Sequence, residues 1–239
     1  MIYLRSTLFF ILAVITTSIY GIITVPMAIM SQRIGYACAR SWGTQIVMLA
    51  RVICGMKFEI KGAANMPTVP VVIMAKHQSA WETVAILSLA PRSAWIIKRE
   101  LVLLPFVGWA LASLRSIAID RKSGKGALEQ ILEQGKERIA GGLCVVVFPE
   151  GTRVAPGARK RYGIGGASLA THTGAPVVPM AHNAGELWRR NAFLKYPGTI
   201  TLSIGPLISS SGKEPGALTS EVENWIEHEM AQLPPAVRR

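Results

Sequence analysis

His77 and Glu82 are a pair whose types and spacing suit chemistry in this 239-residue chain. A histidine titrates near neutrality, and a carboxylate on one ring nitrogen fixes its tautomer and raises the basicity of the other. On one continuous helix, side chains five residues apart point about 140° away from each other and do not meet. They meet only if His77 stands in a turn and Glu82 in the first helical turn after it. The order of the stretch predicts that arrangement: the apolar run Val71–Ala75 comes before Lys76-His77-Gln78-Ser79, and a helical run starts at Trp81. Such a pair is a general base for a hydroxyl. Ser79-Ala80-Trp81-Glu82 also has the S-x-x-E spacing of a capping box, so a helix-capping role for Glu82 stays open.

Phe148-Pro149-Glu150-Gly151-Thr152-Arg153 is the second candidate. It too follows a buried-type strand. Gly151 lets backbone N–H groups approach an anion closely, and Arg153 adds a forked donor set matched to phosphate. Basic residues continue at Arg159, Lys160 and Arg161. The loop suits a phosphate monoester; a solvated loop holding an Arg–Glu pair is the competing reading. Arg121, Lys122 and Lys125 form a third basic cluster, just after Asp120. Asp120 is the only aspartate in the chain, so there is no paired-aspartate metal site. His172, His182 and His228 show no metal-ligand spacing. Neither a G-x-S-x-G elbow nor a G-x-x-x-x-G-K-[ST] loop occurs, which sets aside serine hydrolases of that class and P-loop enzymes.

Positioning these loops takes a sheet. Short apolar runs predict strands at Lys57–Lys61, Val71–Ala75, Ala94–Ile97, Ser116–Asp120, Leu143–Phe148, Val177–Met180 and Thr199–Ile204. Helices are predicted at Trp81–Leu89, Phe106–Leu114, Ala127–Ala140, Gly166–Thr173 and Glu221–Gln232, the last opened by a Ser220–Glu223 capping box. Cys144-Val145-Val146-Val147-Phe148 is apolar throughout, as in strands covered on both faces. The alternation predicts an α/β fold: a mixed, mostly parallel sheet flanked by helices.

Ahead of this lies a different segment. From Ser6 to Gln32 there is no charge, a longer run than the roughly 20 residues that cross a bilayer. It is also too long for the apolar region of a signal peptide. Two readings remain: a transmembrane helix, or a helix that enters one leaflet with a second, interfacial helix from Arg33 to Cys54. Basic residues are heavier after the run than before it, which favours a main domain in the cytosol. The expected division is therefore 1–55 as membrane-anchoring helices and 56–239 as the α/β domain. Half of the residues are hydrophobic and only 17% charged, which excludes a disordered chain. The net charge of +12 suits an anionic partner such as anionic lipid or a phosphorylated substrate. No nucleic-acid recognition motif accompanies it. Cys38, Cys54 and Cys144 sit in apolar surroundings and read as reduced thiols.

From Lys57 to Ile204 the chain resembles the glycerolipid acyltransferases, and among them the 1-acyl-sn-glycerol-3-phosphate acyltransferases. Four blocks appear in the family's order: His77 to Glu82, Lys98-Arg99-Glu100-Leu101 through Pro105-Phe106-Val107-Gly108-Trp109, Phe148 to Arg153, and Val177-Val178-Pro179-Met180. Glu82 stands where the family usually has aspartate. The resemblance implies transfer of an acyl group from acyl-CoA or acyl-carrier protein to the sn-2 hydroxyl of lysophosphatidic acid, with no metal, no cofactor and no covalent enzyme intermediate. His77 would be the base and Glu82 its partner. Glu150, Gly151, Thr152 and Arg153 would hold the glycerol phosphate, with Glu150 orienting Arg153 or meeting a hydroxyl. Lys98 would meet the oxyanion or the thioester. The expected setting is a bacterial inner membrane with the catalytic domain facing the cytosol. Another lysophospholipid acceptor, or a non-catalytic lipid-binding protein on anionic membrane, are the alternatives.

Overall fold

A computed structural model describes residues 1–236. Seven strands form one sheet: β1 (Met56–Lys61), β2 (Val72–Ala75), β3 (Ser93–Lys98), β4 (Ile117–Ile119), β5 (Cys144–Val147), β6 (Val177–His182) and β7 (Gly198–Ile204). Their order is β1-β7-β6-β2-β5-β3-β4. Neighbours run parallel except β6 and β7, so the sheet is mixed and mostly parallel, as expected from the sequence. All seven predicted strands are present, within a residue or two of their expected ends.

Every residue of β2 and β5 is buried. The pleat sends alternate side chains to opposite faces. Val71, Ile73 and Ala75 join one core layer with Trp81, Val84 and Ile86 of α3 (Trp81–Leu89). Val72 and Met74 join the other, with Ile131 of α5 (Lys125–Ala140), Leu169 of α6 (Gly165–Thr173) and Val222 of α7 (Pro215–Gln232). Continuous apolar runs are required because both faces are covered.

The final helix corrects one expectation. It starts at Pro215, and Ser220 lies inside it, donating its hydroxyl to the Gly216 carbonyl. Ser220 and Glu223 form no capping box. Proline at the first helical position already supplies the right φ and lacks an N–H that would go unpaired.

The apolar N-terminal run forms α1 (Ile2–Met30), followed after one residue by the antiparallel α2 (Gln32–Cys54). It is the one described helix long and apolar enough to cross a membrane. It packs along α2 and is tied to the rest of the chain. Ser6 Oγ accepts the Lys195 N–H at 3.0 Å, Phe9 meets Trp188 edge-on at 5.1 Å, and Trp42 Nε1 donates to Thr17 at 3.1 Å. Gly21 meets α4 (Val107–Ser113) through Phe106 at its N-terminus: a Cβ on Gly21 would sit 2.5 Å from the Phe106 Cβ. Only a residue without a side chain allows this approach.

Candidate active site

The parallel strands β2, β5 and β3 end on one edge of the sheet, where sites in such folds gather. His77 leaves β2 in a tight turn. Glu82, fully buried on the first turn of α3, reaches back to it: Oε1 lies 2.8 Å from His77 Nδ1. The same oxygen accepts the backbone N–H groups of Gln78 and Ser79 at 3.1 and 2.9 Å. Burial alone would raise the Glu82 carboxyl, but the facing His182, the His77 contact and the Ser79 N–H outweigh it and hold it below its ordinary value. An ionised carboxylate only accepts, so His77 Nδ1 carries the proton and Nε2 is left as the basic nitrogen. The imidazole stacks on Phe148, centroids 3.9 Å apart.

The 148–154 loop grips the peptide of His77 from both sides. Glu150 Oε2 accepts the His77 N–H at 2.8 Å, and Val154 N–H donates to the His77 carbonyl at 2.7 Å. Glu150 Oε1 pairs with the buried Lys76 ammonium at 2.7 Å. Glu150 does not line the cavity beside His77, and its described partners are Lys76 and the His77 N–H rather than Arg153. A buried carboxylate next to a buried ammonium pairs with it, since leaving either alone is costly. Burial raises the Glu150 carboxyl, with Lys76 and the His77 N–H opposing. Lys76 also pairs with Glu227 of α7 at 2.6 Å, and Glu227 accepts the Tyr162 hydroxyl at 3.0 Å.

Sequence reasoning gave no role to Lys76, Glu227, His182 or Arg121. His182, fully buried, accepts the Ala184 N–H on Nδ1 at 3.2 Å, so Nε2 carries its proton toward the Lys76 carbonyl at 2.8 Å. Glu82 Oε2 faces that nitrogen at 3.8 Å. Burial pushes the His182 imidazole below its ordinary value, against the pull of Glu82. Arg121 donates to the Gly151 carbonyl. Its one sequence signal is position: it follows β4 as His77 follows β2.

A cavity of about 320 Å³ opens beside His77. His77, Arg153 and Arg121 line it, and apolar side chains dominate elsewhere, from Trp95 and Phe148 to Leu87 and Leu114. The second predicted block contributes Leu101 and Val107. Arg153 Nε is buried without a hydrogen-bond partner. Gly151 takes a left-handed φ of +68°, with open space where a side chain would stand, and Thr152 is half-buried. Lys98 stands exposed at the end of β3 and does not line the cavity. Among the described residues no three His, Cys, Asp or Glu side chains form a metal-holding group.

The arrangement places a carboxylate-held histidine on the wall of an apolar cavity that two arginines also line. A family model for acyltransferases matches residues 57–183, which contain all of these groups except Glu227 and the α1 and α2 parts of the cavity wall. The chain is also 39% identical over 241 residues to the 1-acyl-sn-glycerol-3-phosphate acyltransferase of Pseudomonas aeruginosa, across 99% of this chain and 94% of that protein. The chain belongs to the acyltransferase family. This acyltransferase is further similar to the mouse 1-acyl-sn-glycerol-3-phosphate acyltransferase alpha, 26% identical over 79% of this chain and 67% of that one. Its fold matches the crystal structure of a 1-acyl-sn-glycerophosphate acyltransferase from Thermotoga maritima, with a TM-score of 0.82 at 22% identity, covering 99% of this chain and 97% of the other. The acyltransferase thus carries its histidine–carboxylate pair at the edge of the sheet where β2 ends.

Proposed function

We propose that this acyltransferase moves a fatty acyl group from a thioester, acyl-CoA or acyl-carrier protein, to the sn-2 hydroxyl of lysophosphatidic acid, forming phosphatidic acid. The supporting observation is the position of His77: its Nδ1 is held by Glu82 and its ring lines a cavity shared with two arginines and an apolar depth. His77 Nε2 takes the hydroxyl proton as the oxygen attacks the thioester carbonyl. Glu82 stabilises the imidazolium that forms. The tetrahedral intermediate then expels the thiolate, which receives the proton back from Nε2. Net, one C–S bond breaks, one C–O bond forms, and the proton moves from hydroxyl to thiol.

Arg153 and Arg121 hold the substrate phosphate, helped by the open backbone at Gly151 and by Thr152. Arginine matches phosphate through its forked donors. Glu150 acts on the opposite side of the loop, by keeping His77 in place. An acyl chain lies in the apolar cavity.

The membrane reading follows from α2. Arg33, Arg40 and Arg51 are all exposed, and their spacing puts them on one stripe about 27 Å long. An arginine at the bilayer centre costs roughly 2.5 kcal/mol or more. The stripe therefore belongs at headgroup level. Because α1 packs along α2, α1 lies in the same leaflet rather than crossing. The active edge then faces the cytosolic surface of a bacterial inner membrane, where both substrates are found.

Acyl transfer from labelled acyl-CoA to lysophosphatidic acid in detergent micelles, wild type beside His77→Ala, is the deciding experiment. The expected loss with His77→Ala is about 10²–10⁴-fold or more. Equal product from both proteins removes His77 as the base. Absence of product from the wild type, with acyl-carrier-protein thioester as well, overturns the substrate reading.

A further inference from the structure

A second cavity, of about 190 Å³, lies across Leu87 from the first, and Leu87 lines both. It sits where β3 begins, at Arg92 and Ser93, and so at the opposite edge of the sheet from His77. Three arginines line it: Arg33 and Arg40 of α2, two turns apart on one face, and Arg92 of the loop after α3. No carboxylate lines it. The Arg40 guanidinium makes one hydrogen bond among the described residues, Nη2 donating to the Ala90 carbonyl at 2.5 Å. The side chains of Arg33 and Arg92 have neither an ion pair nor a hydrogen bond among the described residues. The other polar side chains at the cavity are occupied: the Tyr36 hydroxyl donates to the Leu114 carbonyl at 2.6 Å and Ser93 donates to the Pro91 carbonyl at 2.6 Å.

Three guanidinium groups around one hollow repel each other unless an anion joins them. Each carries five donors, and nearly all of these are unspent. Their forks match phosphate oxygens. The surroundings narrow the source of that phosphate. Ile29 and Met30, at the end of the apolar α1, are 79% and 73% exposed, and Ile34 beside Arg33 is 46% exposed. A free phosphate ion gains nothing from these exposed apolar side chains, which lie within four residues of Arg33 along the chain. A phospholipid uses both parts, its headgroup at the arginines and its chains along α1.

We propose that Arg33, Arg40 and Arg92 form a binding site for the headgroup phosphate of an anionic membrane phospholipid, separate from the substrate site. The bound lipid holds α2 against the end of α3 and fixes how the sheet edge at His77 meets the membrane. The site stands whether or not the reaction proposed for His77 is right.

The test is thermal unfolding of the full chain in neutral detergent, titrated with dihexanoyl-phosphatidylglycerol. Wild type and Arg153→Gln should both show a saturable rise in Tm. The Arg33→Gln/Arg92→Gln protein should need about 30-fold more lipid for half the rise. Arg33→Lys/Arg92→Lys, which keeps the charge but not the fork, should recover part of the response. Acyl transfer in neutral micelles should be unchanged in Arg33→Gln/Arg92→Gln, which shows that it folds. Four results overturn the proposal: an equal response in wild type and the glutamine variant; the same rise with dihexanoyl-phosphatidylcholine; full reproduction by sodium phosphate, which makes it a free-anion site; or a variant-sensitive response to acyl-carrier protein alone, which makes it a protein-docking surface.

Discussion

Glu82 Oε1 lies 2.8 Å from His77 Nδ1 and also takes the N–H groups of Gln78 and Ser79. The helix cap and the histidine's partner are one oxygen. The two roles that the sequence leaves open for Glu82 are therefore compatible, and substitutions separate them. Glu82→Gln keeps an oxygen for the two amides but removes the charge that supports an imidazolium. It should lower kcat by about 10²–10⁴-fold with a small change in Tm. Glu82→Asp keeps the charge on a shorter stem and should retain more activity than the glutamine variant. Assays of kcat with parallel unfolding curves check this. A large fall in Tm with kcat preserved would leave Glu82 as a cap only.

The two buried glutamates should oppose each other in pH dependence. Glu82 is held below its ordinary value, so its ionised form stabilises the fold above the unfolded carboxyl range. That contribution is lost as pH falls through the lowered value. Glu150 is raised, so its contribution is fully present below the unfolded value and is lost as pH rises through the raised one. Unfolding curves against pH should show the wild-type advantage over Glu82→Gln shrinking on acidification. The wild-type advantage over Glu150→Gln should shrink as pH rises out of the acid range. Parallel curves for both variants would contradict the assignment.

The strands were legible because buried central strands must be apolar on both faces, and Cys144–Val147 shows that directly. The His77–Glu82 meeting was legible because one turn of chain decides it. Arg121 was not, because nothing local separates it from Lys122 and Lys125. Only the folded sheet, with β4 brought to the same edge, carries it to Gly151. The Glu150–Lys76 pair was not legible for a similar reason. Lys76 looks like a solvated lysine in sequence, and only the packing of α7 buries it at 1% exposure against Glu227. The start of α7 was misread because Ser220 and Glu223 fit a capping box while Pro215 had already set the helix.

Arg153 and Arg121 share the cavity wall, and Arg153 Nε has no partner of its own. A hydrogen bond to a charged group contributes about 1.5–3 kcal/mol. Arg153→Gln should therefore raise KM for lysophosphatidic acid by about 10–100-fold, with kcat changed far less. Arg121→Gln should act in the same direction. Lys98→Gln, at an exposed position that does not line the cavity, should leave KM and kcat near wild type. Steady-state kinetics with the acyl donor saturating reads all three. A kcat loss in Lys98→Gln would return that residue to the oxyanion or thioester role.

Val107, Ala110, Leu111 and Leu114 recur at helical spacing along α4 and the residue after it, and all four line the cavity. Thr17, Gly21 and Thr24 of α1 line the same cavity. The Gly21–Phe106 approach holds these two helices together, so the cavity cannot widen easily to take a bulkier wall. Ala110→Phe should therefore shorten the space open to an acyl chain. Each methylene refused costs about 0.8 kcal/mol, or about fourfold in kcat/KM. The variant should fall progressively behind wild type as chains lengthen and match it for short ones. Donor length is varied at fixed acceptor, then acceptor length at fixed donor. The profile that moves identifies whose chain the cavity holds. If neither moves while the protein stays folded, the acyl chain lies elsewhere.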